Sequence, residues 1–386
     1  MAFEGATANG FKSCNKAEAK KSKGRKVMKV LIITIHNIVN FGSLFQARGL
    51  QKYISDQGYD CEIINYNPSY LSHTGIKAEL GKMLNFCYFV SRKRKFQSFL
   101  KTEMRLTKKN YHSLHALEQD PPEADLMIVG GDQLWNEFYP CGRDPAFRLT
   151  FTKVAKAAFG TSLGKRDYTP EGLRQLAVDV GDYKAIGIRE KSGMELLQRA
   201  GLSEVKNVCD PVFLLQKSDY GKYVKKPLME EPYLFVYLVA ASPLLEQAVK
   251  LISKKLHLKV VLNTGFVAKC KYDLHVKDMG PDECLNYLAN ATYVLSGSFH
   301  ASAFSIMFHK QFLTLLPGQN TNARIEDLLD LVGLKERMMS DASQLDDSVF
   351  EAIDWERVDA SLNGHIEQSK RFLNHILQGV TQDVHE

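Results

Sequence analysis

Two cysteines spaced two residues apart occur nowhere in this chain, nor does a His-Glu-x-x-His pair, a Walker A loop or a Gly-x-Ser-x-Gly elbow. These absences argue against a structural zinc site, a zinc hydrolase, a P-loop kinase and a serine esterase, because each chemistry needs its ligands or nucleophile at that spacing. The G-x-G-x-x-G loop that cradles a pyrophosphate is missing too, so neither NAD nor FAD is expected. No apolar stretch approaches the roughly 18 to 20 residues needed to cross a bilayer; the longest are Val30 to Ile35 and Phe299 to Phe308. The seven cysteines, Cys14, Cys61, Cys87, Cys141, Cys209, Cys270 and Cys284, are odd in number and scattered. That pattern points to reduced thiols in a cytoplasm rather than a disulfide framework. Nothing in the sequence requires a metal.

What is present is a long chain with the balance of a globular protein: 386 residues, 45% hydrophobic and 24% charged. At about 150 residues per domain this predicts two domains and an extension. Residues 1–28 form a basic tail with no apolar h-region and so no secretory signal. From Lys29 onward short β-branched runs alternate with helical spacing: strand Lys29 to Ile35, polar loop His36 to Gly42, helix Ser43 to Gln57, strand Cys61 to Asn65. That is a βαβ start, which implies a parallel sheet and a right-handed crossover. The alternation continues to Val208, pauses in a charged, two-proline segment at 216–232, and resumes from Tyr233. The expected architecture is therefore α/β, two Rossmann-like domains facing across a cleft. They span 29–215 and 233–340, joined by the linker and followed by a helical extension over 341–386.

Charge is uneven although the net is only +6. Within an expected helical insert at about 75–112, Lys77, Lys82, Arg92, Lys93, Arg94, Lys95, Lys101, Arg105, Lys108 and Lys109 face only Glu79 and Glu103. Leu80, Leu84, Phe86, Phe89, Val90, Phe96, Phe99 and Leu100 interleave with them. A basic solvated face over a packed apolar one explains this pattern, and so does docking to an anionic membrane surface. No nucleic-acid module accompanies the charge, and no nucleic-acid partner is expected.

Several segments put reactive groups at strand ends. In Ala291 to Phe308 an apolar run ends at Ser296-Gly297-Ser298, and His300 heads the next helix. A helix start of this kind offers backbone donors and a positive dipole end to an anion. His300 can add a hydrogen bond or a proton near neutral pH. The same pattern also describes simple capping with a buried histidine. Arg189 ends the expected strand Ala185 to Ile188, where open α/β sheets bind ligands, although Glu190 or Asp210 could pair with it. Arg324 is a second candidate cation. In Gly130-Gly131-Asp132-Gln133-Leu134-Trp135-Asn136 the glycines allow close backbone approach, Asp132 and Gln133 suit sugar hydroxyls, and Trp135 suits either a pyranose face or the core. Asn40 follows the first strand in a similar position.

Taken in order, these segments resemble the polysaccharide pyruvyl transferases. The resemblance rests on Lys29 to Asn37 with Asn40 to Ala47, Asp125 to Asn136, Ala157 to Gly160, Gly187 to Gly193, Asp210 to Leu215, Ser296 to His300 and Asn322 to Ile325. It implies a glycosyltransferase-B-like fold that moves the pyruvate moiety of phosphoenolpyruvate onto two sugar hydroxyls as a cyclic ketal, with no cofactor beyond that donor. It further implies that Arg189 contacts the donor and that His300 matches the family histidine, with Ser298 standing where many members carry arginine. His300, Arg189 and Asp132 are then the expected catalytic residues. Ser296, Gly297, Ser298 and Arg324 are expected on the donor, and Gln133, Trp135, Asn136 and Asn40 on the acceptor. The implied acceptor is a polysaccharide repeat of capsule or exopolysaccharide, or its lipid-linked precursor, at the inner face of the cytoplasmic membrane. A nucleotide-sugar glycosyltransferase and a non-catalytic binding protein on the same fold are the competing expectations.

Overall fold

The computed structural model describes residues 27–72, 83–164, 167–316 and 323–385. The basic tail before Val27, together with Lys77, Leu80, Lys82 and Asn322, lies outside the described residues.

Two all-parallel sheets form the frame. The first contains β1 (Lys29–Ile33), β2 (Asp60–Tyr66), β3 (Leu106–Tyr111), β4 (Leu126–Val129), β5 (Ala155–Thr161), β6 (Ala185–Ile188) and β7 (Val205–Asn207), in the order β3-β2-β1-β4-β5-β6-β7. The second contains β8 (Tyr233–Leu238), β9 (Lys259–Thr264), β10 (Leu274–His275), β11 (Tyr293–Ser296), β12 (Gln311–Leu315) and β13 (Met338–Met339), in the order β10-β9-β8-β11-β12-β13. Their central strands are apolar on both faces because helices cover both: every residue of β4, β8 and β11 is buried.

Each sheet reverses its winding once, between β1 and β4 and between β8 and β11. Ligands of open α/β sheets bind in the crevice outside the carboxyl ends at such a reversal. Two helices start there. α1 (Phe41–Asp56) follows β1, and its start is earlier than the sequence pattern predicts because Asn40 caps it, accepting from Gly42 N at 3.0 Å and Ser43 N at 3.4 Å. The helix Phe299–Met307 follows β11.

The expected insert at about 75–112 is resolved into two elements over its described part. α2 (Met83–Glu103) buries Phe96, Phe99 and Leu100, and Leu106–Tyr111 is the edge strand β3. The pattern of β3 hides it, since Lys108, Lys109 and Asn110 are exposed on the sheet edge, and charge there discourages pairing with another chain. Much of the basic charge is paired: Lys95 with Asp278 and Glu283, Arg105 with Asp60, Lys109 with Asp120. Lys93 and Arg94 are exposed, as are Phe86 and Tyr88.

One apolar cluster runs through both domains. At the junction Phe41 meets Tyr237 at 4.9 Å and Phe304 at 6.1 Å between ring centroids, and Phe45 meets Phe304 at 5.4 Å. These edge and tilted ring contacts fix the start of α1 against the helix that follows β11. The terminal helix Trp355–His385 closes the molecule. It begins on the second domain, where Trp355 stacks on His309, and returns to the first, where Ser369 Oγ accepts from Cys209 N at 2.8 Å and Asn374 accepts from Tyr53 OH at 3.2 Å. Among the described residues no helix is long and apolar enough to cross a membrane.

Candidate active site

The helix α3 (Phe299–Met307) delivers His300 to the junction. The ring is buried against the first turn of α1: a Cβ on Gly42 would fall 2.1 Å from His300 Nδ1. Only glycine leaves that space, so the second domain's histidine lies directly on the first domain's helix start. His300 Nε2 stands 3.6 Å from Asp210 Oδ2 and makes no hydrogen bond. The atom is buried and lies beside the Asp210 carboxylate.

Asp210 is the centre that sequence reasoning treated only as a partner. It is fully enclosed, pairs with Arg189 Nη1 and also accepts from Val212 N at 3.0 Å. Burial alone would raise its carboxyl, but the charges of Arg189 and His300 and the hydrogen bonds hold it well below the usual carboxylate range. The signal available in the sequence was Asp210-Pro211, a capping aspartate before a proline, here opening the short 3₁₀ turn Pro211–Leu214.

Arg189 leaves Nε and Nη2 buried without partners. Its guanidinium lies 4.5 Å from the Phe299 ring centroid, and that of Arg324 lies 5.9 Å from the same ring. Arg324, from the helix Ala323–Leu331, has an unpartnered Nε as well. Burial and then the neighbouring Arg189 bring its pKa down to about 10, with Asp132, Glu190 and Tyr139 acting the other way. It stays cationic at neutral pH, and the depression reports chiefly the burial of its charge. Two guanidiniums with spare buried donors can receive an anion. They border a cavity of about 250 Å³ lined by Arg189, Asp210, Phe299, Arg324, Asn207 and His365 among others. Arg324 supplies charge to the region where Ser298 brings none.

Asp132 completes the constellation from the first domain. Its backbone has φ 78°, a left-handed conformation unusual outside glycine, and Oδ1 accepts from Gln133 N at 2.8 Å while Oδ2 accepts from Ser43 Oγ. Burial opposes its charge, yet His300, Arg189 and Arg324 outweigh it and keep the carboxyl below its ordinary value. Beside it Glu190, enclosed, accepts from Leu163 N at 2.6 Å and from Gly164 N and Ser162 Oγ at 3.1 Å. Burial pushes the Glu190 carboxyl up.

The donor-side serines are more structural than expected. Ser296 Oγ donates to Tyr237 O at 2.7 Å and accepts from Ser298 N at 3.0 Å, so both groups are already used. Gly297 is required by the close approach of Leu315 O, 2.9 Å from where a Cβ would sit. Among the expected acceptor residues, Trp135 is wholly buried and donates Nε1 to Phe147 O at 2.8 Å, so it has no face for a sugar. Asn136 is buried too, its Nδ2 donating to Gln133 Oε1 at 2.8 Å. Asn40 is the cap of α1. The cause is packing: the turn after β4 folds inward to fill the first domain's core, and a local pattern does not show which way an indole faces.

The family model of polysaccharide pyruvyl transferases matches residues 40–318, most of the chain. The chain belongs to the polysaccharide pyruvyl transferase family. No curated protein matches it in sequence. Among solved structures, the UDP-N-acetylglucosamine 2-epimerase of Rickettsia bellii is similar with a TM-score of 0.55 and 12% identity, over 93% of this chain and 98% of the epimerase. The Neisseria meningitidis UDP-GlcNAc 2-epimerase bound to UDP-GlcNAc has a TM-score of 0.54 and 10% identity, over 91% and 100%. Arabidopsis thaliana UGT89C1 complexed with UDP-L-rhamnose has a TM-score of 0.52 and 10% identity, over 92% and 99%. At such identities the likeness is one of fold. This member of the pyruvyl transferase family has the glycosyltransferase-B-like architecture, two parallel-sheet domains with their switch points facing.

Proposed function

We propose that the protein transfers the pyruvate moiety of phosphoenolpyruvate onto two hydroxyls of a sugar, in a polysaccharide or its lipid-linked precursor. The observation that carries this is the pair Arg189 and Arg324, with unpartnered buried donors, both beside the ring of Phe299, which itself adjoins His300. A donor with both a phosphate and a carboxylate calls for two such cations. In this reading Arg189 and Arg324 hold the two anionic groups and His300 Nε2 meets the phosphate. A proton that His300 delivers to the methylene carbon makes C2 electrophilic. Two sugar hydroxyls add and phosphate leaves; of the two hydroxyl protons released, one balances the proton on carbon and the other departs with phosphate. Asp132, held ionised, is the base for a hydroxyl, and Asp210 keeps Arg189 and His300 in register. With a lipid-linked acceptor, the exposed Phe86, Lys93 and Arg94 of α2 form the side that meets an anionic membrane.

The test is phosphate release from phosphoenolpyruvate with a panel of lipid-linked and free oligosaccharides, read also by the mass of the added pyruvate. His300→Ala should cut turnover at least about a hundredfold, the usual range for a group moving a proton; retained turnover would remove its role. Consumption of a uridine-diphosphate sugar with no response to phosphoenolpyruvate would replace this reading with glycosyl transfer. No turnover of either, with ligand binding indifferent to Arg189 and His300, would make the protein a binding module.

A further inference from the structure

Burial of Trp135 and Asn136 leaves the acceptor without the surface that the sequence suggested, but the same turn exposes two other rings. Phe138 and Tyr139 are 47% and 41% exposed. They stand on a rigid base. Tyr139 N donates to Asn136 O at 2.9 Å, Gly142 N to Tyr139 O at 3.1 Å, and Phe138 N to Asn136 Oδ1 at 3.1 Å. A Cβ on Gly142 would lie 1.9 Å from Asn136 O, so the turn closes only with glycine there. Asp144 fastens its far end to the first sheet, accepting from the hydroxyls of Tyr66 and Tyr70, each at 2.6 Å. The backbone that presents the rings is thus held in place and has little freedom to lose on binding.

Its position joins two surfaces. On one side the turn begins at Asp132, beyond β4 at the first sheet's reversal, so the ring stands on the loop that reaches the site. On the other, Asn67 follows Tyr66 directly and begins a row of amides along the strand ends. Asn37 Nδ2 donates to Asn67 Oδ1 at 2.9 Å, and Asn67 Nδ2 donates to Asn110 Oδ1 at 2.7 Å. Asn37 and Asn110 are exposed. A pyranose has an apolar face of C–H groups and an edge of hydroxyls, and this turn with its amide row offers a counterpart to each.

We infer that Tyr139, with Phe138 next in the chain, is the platform on which the acceptor pyranose stacks, its hydroxyl edge turned toward the exposed Asn37 and Asn110 amides that Asn67 holds in place. The inference rests on the pyruvyl transfer reading for the fate of the sugar, and not for its binding. Saturation-transfer NMR with methyl β-D-galactopyranoside and methyl β-D-glucopyranoside as probes tests it, on the wild type, Tyr139→Ala and Tyr139→Phe. Loss of one stacking ring should weaken glycoside binding about three- to tenfold. Tyr139→Phe should bind as the wild type, and thermal stabilisation by phosphoenolpyruvate should be alike in all three. Equal binding by Tyr139→Ala, or no binding of either glycoside by the wild type, would overturn the inference. A wild type that binds a glycoside through Tyr139 yet releases no phosphate from phosphoenolpyruvate would uphold the platform and remove the pyruvyl transfer reading.

Discussion

Arg324 is the residue whose role depends most on what surrounds it. Alone in a sequence it is one cation on a helix; here it shares the Phe299 ring with Arg189 and has a buried donor to spare. A hydrogen bond to a charged group is worth about 1.5–3 kcal/mol. Arg324→Ala is therefore expected to raise the KM for phosphoenolpyruvate roughly tenfold or more, with the acceptor KM little changed. Steady-state kinetics with each substrate varied in turn checks this. If Arg324 stands in for the arginine that many relatives carry at position 298, the double variant Ser298→Arg with Arg324→Ala should recover part of that loss. No recovery would mean that a cation at 298 cannot reach the same anion.

At the scale of elements, the decisive contact is between two helix starts. α1 and α3 come from different domains, yet Gly42 of one lies under His300 of the other with no room for a methyl group. Gly42→Ala should suit the α1 helix, since alanine is the better helix former, but it must move the His300 ring. Displacing a reacting group by about an ångström can cost on the order of a hundredfold in rate. The variant is expected to keep its circular dichroism spectrum and lose most of its turnover. Normal turnover would show that His300 does not need this seat. The short edge strand β3 belongs to the same scale: its lysines read as part of a basic helix until the partner strand β2 is placed beside it.

For the whole molecule, the terminal helix is the strap that holds the two domains in one arrangement. Along it Val358, Leu362, Leu373, Ile376, Leu377 and Val380 are buried. At about 1.5–3 kcal/mol for each such side chain, their combined contribution rivals the roughly 5–15 kcal/mol net stability of a typical protein. Ending the chain before Trp355 is therefore expected to give an insoluble or unfolded product, measured by soluble yield and by loss of a cooperative thermal transition. A soluble truncated form with a sharp transition would show that the domains hold together without the strap.

How much of this was legible beforehand follows from what is local. Runs such as Lys29–Ile33 and Tyr233–Leu238 declare buried parallel strands through their own composition, and turns such as Ser296 to Ser298 declare helix starts, so alternation, domain number and the order of His300 and Arg189 were open to inspection. The path of the chain around Asp210 was not. Asp210 meets Arg189 and His300, Gly42 meets His300, and Arg324 joins Arg189 at Phe299 only because two sheets pack with their switch points together. Nor could the pattern after β4 distinguish the ring that turns inward from the one that faces solvent. Trp135 and Tyr139 stand four residues apart in one turn, and what separates core from surface there is the Phe147 carbonyl waiting for an indole N–H. Sequence alone determined the elements, because each depends on neighbours along the chain; the tertiary structure decided the site, because its charges and rings are brought together by packing between residues distant in sequence.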